Sequence, residues 1–140
     1  AYAGIHAAAD GEVIGAVEWV VRGGITSTTR LIAGYGEHGG VPGLFGFSVQ
    51  YAPGKTVEEL AQAGQLRNGQ VSYALDDDLA QSLKLLGYTM RLVKSPGHGF
   101  HHTFAVLYDA SGAMLHVLPA DAANALSQTF QQRKNPYRLP

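Results

Sequence analysis

The stretch Lys94-Ser-Pro-Gly-His-Gly-Phe-His-His-Thr103 decides how this chain is organised, and it holds three of the six histidines within five residues. The flanking segments, 88–95 and 101–108, are rich in β-branched and aromatic residues, which predicts two strands. The Pro-Gly pair between them is typical of a turn. We therefore expect a β-hairpin that carries polar side chains onto a sheet.

Length and charge limit the classes of protein that fit. At 140 residues, we expect a single domain spanning residues 1–140, with a core large enough to fold unaided. Charged residues make up 15% of the chain, and the net charge is −1. A broad electrostatic surface for nucleic acid needs a basic excess, which this chain lacks. A local contact with one phosphate remains open.

The chain contains no cysteine, which excludes disulfides, thiolate nucleophiles and zinc sites that use cysteine. No apolar run approaches the roughly 18 residues of a membrane span, and no signal-peptide pattern is present. We therefore predict no membrane contact. Because the sequence begins at Ala1 and not at Met, we expect a processed form or the C-terminal module of a larger protein.

Caps, periods and turn residues predict the remaining elements. Thr56-Val-Glu-Glu59 is a capping box that opens a helix ending near Gly64. Predicted strands cover 25–33, 44–51, 71–75 and 113–118, and predicted helices cover 10–22, 77–86 and 121–132. The first of these helices competes with a strand, because five of its apolar positions are β-branched. We predict an α+β fold: an antiparallel β-sheet with helices packed on one face.

The predicted register of the last two hairpins brings polar side chains together. If Ser95 pairs with His101 and Tyr108 with Ala113, then Arg91, Ala105 and His116 form one row across three strands. His101, Thr103 and Ser95 lie beside that row on the same face. The prediction depends on both loops, since a slip of one residue turns every side chain to the other face.

This row predicts a catalytic site that needs neither metal nor cofactor. His101 and His116 would act as general base and general acid, Arg91 would contact phosphate, and Thr103 would donate to a developing oxyanion. Such a group is sufficient for cleavage of RNA through its 2′-hydroxyl. The alternative is that His101 and His116 are polar residues on a solvated face.

A histidine cluster and a glycine-rich segment could suggest ligand sites, but each has a simpler explanation. His98, His101 and His102 have no carboxylate at ligand spacing, so we predict no metal site. The segment Gly34–Gly43 has five glycines and a proline, but it fits neither phosphate-binding glycine pattern, so we expect a lid or a simple connection.

The segment Ser95–Thr103, followed by a closing helix, Phe130 and Asn135-Pro136, resembles C-terminal toxin modules of bacterial polymorphic secreted toxins. The resemblance covers roughly the last third of the chain. It implies a toxin that is secreted or delivered into a target cell and acts in the cytoplasm there, with an immunity protein as partner. Among such modules, the closest expectation is a small metal-independent ribonuclease, with RNA as the substrate.

The same resemblance implies two alternatives. Some of these modules are ADP-ribosyltransferases or NAD glycohydrolases. The ADP-ribosyltransferase pattern needs an early Arg or His on a strand, a Ser-Thr-Ser or Tyr element and a late catalytic Glu. Arg30 or His38 would serve first and Phe47-Ser48 second, but no Glu follows Glu59. The other alternative is a non-catalytic module that binds another protein through its open face.

Overall fold

A computed structural model describes residues 17–95 and 101–135. The strands are β1 (Trp19–Gly23), β2 (Gly36–Glu37), β3 (Phe45–Tyr51), β4 (Gln70–Leu75), β5 (Thr89–Lys94), β6 (His102–Tyr108) and β7 (Gln131–Lys134). The helices are α1 (Thr28–Gly34), α2 (Val57–Ala63), α3 (Asp76–Lys84) and α4 (Ala120–Thr129). The strands form one antiparallel sheet in the order β5-β6-β3-β1-β4-β7, and β2 pairs with β3. The predicted α+β class with an antiparallel sheet is confirmed.

The main core lies between the sheet and the helices α1, α3 and α4. Val20, Phe47 and Ala105 point to this side, where they meet Leu79 and Leu126 of the helices. A smaller cluster lies on the opposite side. Side chains alternate along a strand, so Val21 points away from Val20, and there α2 covers it with Val57 and Leu60. Each face of the sheet therefore carries helical cover.

Two stretches in the N-terminal part of the chain differ from their predicted structure. Part of the helix predicted over 10–22 is the strand β1, in line with its β-branched residues, while 10–16 lies outside the described residues. The strand predicted over 25–33 is mostly α1. Ser27 is its N-cap, and the Ser27 side chain accepts a hydrogen bond from the Arg30 amide at 3.1 Å.

The C-terminal part of the chain also differs. The strand predicted over 113–118 is reduced to one isolated bridge between Tyr108 and Met114. The preceding turn is tight, because the Asp109 carboxylate accepts hydrogen bonds from the Ser111 and Ala113 amides. The helix predicted to run to about residue 132 ends at Thr129, and residues 131–134 form β7 against β4.

Several local predictions are confirmed. The Thr56–Glu59 capping box is present, with both hydrogen bonds at 3.1 Å. The strands β3, β4, β5 and β6 and the helix α3 lie where they were predicted, to within a few residues. Within the described residues, no helix is long and apolar enough to cross a membrane.

Candidate functional site

The predicted row of Arg91, Ala105 and His116 does not form. Arg91 pairs with Val106, and Leu92 takes the place opposite Ala105. Ala105 is fully buried in the main core, opposite Phe47. Arg91 therefore lies on the other side of the sheet, and no hollow with an alanine floor exists. The predicted register is wrong by one residue because Ser95 pairs with His102, and not with His101.

The four predicted catalytic side chains lie in separate places. His116 is exposed and stacks on Phe45 with the ring centres 4.3 Å apart, while Arg91 lies 5.6 Å above the ring of Tyr108. Thr103 is buried, and its hydroxyl donates to the His101 carbonyl at 3.0 Å.

His101 borders a hollow of about 230 Å³ formed with α2. The four side chains therefore form no common site. His98 lies outside the described residues.

A different polar site lies where β1 and β3 separate. Their ladder contains only two pairs, Val20 with Tyr51 and Val21 with Gln50. At the next position, the Arg22 side chain fills the gap, and its Nη1 donates to the Ser48 carbonyl at 3.0 Å. The guanidinium lies 5.1 Å above the Phe47 ring. The side chain of Arg22 thus replaces backbone pairing at this point of the sheet.

The environment of Arg22 disfavours its charged form. Burial, followed by the positive charge of Arg30, lowers the pKa of Arg22 from its ordinary value to about 10. Its Nε is buried and has no hydrogen-bond partner. A partly buried guanidinium with an unused donor is a group that an anionic ligand would stabilise.

Two adjoining hollows lie along this opening, and we refer to them together as the groove. The Arg22 hollow has about 310 Å³ and is lined by Arg22, Asn68 and Gln50 among others. The His38 hollow has about 290 Å³ and is lined by Glu37, His38 and Phe104 among others. Ser48 and His102 form walls of both hollows. Arg22 also reaches toward the second hollow, since its Nη2 lies 4.0 Å from where a Cβ on Gly34 would be.

His38 joins the glycine-rich segment to the end of β5. Its Nδ1 accepts a hydrogen bond from the Gly40 amide at 2.9 Å, its Nε2 bonds the Ser95 hydroxyl, and its ring meets Phe104 edge-on. A neutral imidazole that accepts at Nδ1 carries its proton on Nε2. His38 therefore donates to Ser95 and does not act as a base toward that hydroxyl.

Arg22 was not predicted as a site residue, because its strand was predicted as a helix. Ser48 was noted only as part of Phe47-Ser48, and His102 only among three histidines without a carboxylate at ligand spacing, whereas both line the groove. The available signal was the alternative strand pattern through Val20 and Val21.

Within residues 17–95 and 101–135, no group of three or more His, Asp or Glu side chains is placed to hold a metal ion. No protein-family model matches this chain. No curated protein and no solved structure shows significant similarity to it.

Proposed function

We propose that the groove binds NAD and cleaves the bond between nicotinamide and ribose, either as a glycohydrolase or as an ADP-ribosyltransferase. The observation that carries this proposal is Arg22, which extends from a strand and bonds the Ser48 carbonyl at the mouth of a groove. Arg22, and not Arg30 or His38, then supplies the first element of the ADP-ribosyltransferase pattern. Phe47-Ser48 supplies the second.

The third element of that pattern is a carboxylate. Among the described residues that line the groove, Glu37 is the carboxylate, and its Oε2 accepts a hydrogen bond from the Gly43 amide at 2.9 Å. Cleavage of an N-glycosidic bond builds positive charge on the ribose, as it does in glycoside hydrolysis. We assign to Glu37 the stabilisation of this charge. The ADP-ribosyltransferase pattern has its glutamate late in the chain, whereas Glu37 lies before Phe47-Ser48.

The proposed reaction needs no metal. As the bond breaks, its electron pair passes to the pyridinium nitrogen and nicotinamide leaves as a neutral molecule. The oxygen of water, or of an acceptor group, bonds to the ribose carbon and loses a proton. His102, which forms a wall of both hollows, is the base assigned to that proton.

The experiment is to incubate the protein with NAD and measure nicotinamide release. Arg22→Gln and Glu37→Gln should each lower the rate at least ~10²-fold, as expected for loss of an electrostatic contact in the transition state. Gln at position 37 keeps an oxygen for the Gly43 amide, so the change removes mainly charge. Asp78→Asn, on an exposed part of α3, is the matched control. Release no faster than in buffer alone would rule out this function.

A second candidate is metal-independent cleavage of RNA, and two imidazoles in one hollow favour it. His38 and His102 both line the His38 hollow, where Arg22 Nη2 also approaches Gly34. These three residues would replace the set predicted from sequence. His102→Gln should then lower RNA cleavage at least ~10²-fold. RNA cleavage that is unaffected by His102→Gln would eliminate this candidate.

We further propose the setting implied by the toxin resemblance: a module delivered into a target cell, with an immunity protein as its partner. The groove is the surface that such a partner would block. Co-purification with the product of a small neighbouring gene, together with loss of nicotinamide release, is the expected result. A stable complex without turnover on NAD or RNA would favour the non-catalytic binding module instead.

A further inference from the structure

The end of the groove beyond Arg22 has an unusual concentration of side-chain donors. The Gly23-Gly24 pair follows Arg22, and the side chains of Asn68 and Arg30 lie close above it. A Cβ built on Gly24 would lie 2.9 Å from Arg30 Nη1 and 3.3 Å from Asn68 Nδ2. Both nitrogens therefore approach a single point on the backbone, two residues from Arg22.

The two glycines make this approach possible. A Cβ on Gly23 would lie 2.3 Å from Asn68 Oδ1, so any side chain there would displace the amide. Gly24 adopts a φ of 79°, in the left-handed region that favours glycine. The absence of side chains at Gly23 and Gly24 thus leaves room for Asn68 and Arg30, and Asn68 also lines the Arg22 hollow.

The charges at this point are uncompensated. Arg22 and Arg30 form no ion pair with any side chain in the described parts of the chain. Arg30 is close enough for its positive charge to lower the pKa of Arg22. Like charges held together weaken the folded state, and a ligand that carries two negative charges removes this repulsion when it binds.

We infer that Arg22, Arg30 and Asn68 form a diphosphate subsite, so that the groove takes ligands with a pyrophosphate linkage in preference to single phosphates. Arg22 would hold one phosphate through its guanidinium, and Arg30 with Asn68 would hold the other. Guanidinium and amide N–H groups are suitable donors for phosphate oxygens. This inference extends the proposed function, because NAD carries such a linkage.

The experiment compares ADP-ribose with AMP, which has one phosphate on the same nucleoside, by titration calorimetry at fixed ionic strength. ADP-ribose should bind at least ~10-fold more tightly than AMP, a difference equivalent to one charged hydrogen bond. Arg30→Gln should abolish most of that difference. Arg67→Gln, which removes an equal charge from the exposed loop beside Asn68, is the control.

Equal affinities for ADP-ribose and AMP would overturn the subsite, as would equal effects of the Arg30 and Arg67 changes. Because Arg30 is exposed, its variant should fold, and a thermal melt of each variant checks this. Binding as predicted without nicotinamide release would refute the proposed NAD cleavage and leave the subsite standing. Nicotinamide release with equal affinities for the two ligands would refute only the subsite.

Discussion

Replacing Arg22 with methionine separates a functional arginine from a structural one. Met keeps an apolar stem of similar length above Phe47, but it removes the charge and the donor to Ser48. If Arg22 serves mainly to bind a ligand, the change should have little effect on folding and a large effect on the activity of the groove.

The structure gives the expected change in the free energy of unfolding for Arg22→Met. Because the pKa of Arg22 is lowered to about 10, the folded state disfavours its charged form by about 3 kcal/mol, at ~1.4 kcal/mol for each pKa unit. A base with a lowered pKa weakens the folded state at every pH below that pKa, so the cost is present at neutral pH. The lost hydrogen bond from a charged donor is worth about 1.5–3 kcal/mol. The two effects largely offset each other, and we expect the free energy of unfolding to change by less than about 2 kcal/mol.

The assay is urea unfolding of Arg22→Met at pH 7, followed by tryptophan fluorescence from Trp19, with nicotinamide release measured on the same samples. Arg133→Met, which removes an exposed arginine that pairs with Glu58, is the control. The predicted result is nearly unchanged stability with at least ~10²-fold slower release. A decrease of 3 kcal/mol or more in the free energy of unfolding, with an unchanged slope against urea concentration, would show that Arg22 holds the sheet together. That result would refute a mainly ligand-binding role for Arg22.

Three further predictions follow from local geometry. Gly46→Ala should destabilise the fold by at least about 2 kcal/mol, because its Cβ would lie 2.3 Å from the Ala105 carbonyl oxygen. Gly36, its partner across the β2–β3 ladder, has nothing within 4 Å and should tolerate Ala within about 1 kcal/mol; equal melting temperatures for the two variants would contradict this. Thr56→Ala should cost about 1 kcal/mol through loss of the capping box, and a denaturant midpoint equal to that of the wild type would argue against it. His116→Ala should leave nicotinamide release unchanged, and a rate reduced tenfold or more would restore this residue as a candidate.

Short-range features were predictable because their interactions are local. The Thr56–Glu59 capping box joins residues three apart, and its hydrogen bonds form whatever the rest of the chain does. The helix α3 and the hairpin of β5 and β6 were likewise evident from apolar period and turn residues. The helix α1 was missed because its threonines favour strands, while the Ser27 cap that starts it was overlooked.

The candidate site was not predictable in the same way. Arg22 and Ser48 are 26 residues apart, and His38 and Ser95 are 57 apart, so their contacts exist only once the sheet order is set. The predicted site failed on a single step of register, since Ser95 pairs with His102. Both residues were expected in the two strands of this hairpin. The number of residues in the connection, however, decides which face of the sheet each side chain takes.

The sequence alone determined the class of the fold, the local caps and turns, and the absence of cysteine chemistry, since composition and short-range hydrogen bonds suffice for these. Only the tertiary structure decided which polar side chains meet. Alternation along a strand gives every residue one of two faces, and the choice depends on strand pairing and core packing between distant segments. For this reason Arg22, Ser48 and His102 share one groove, while Arg91, His101 and His116 lie apart.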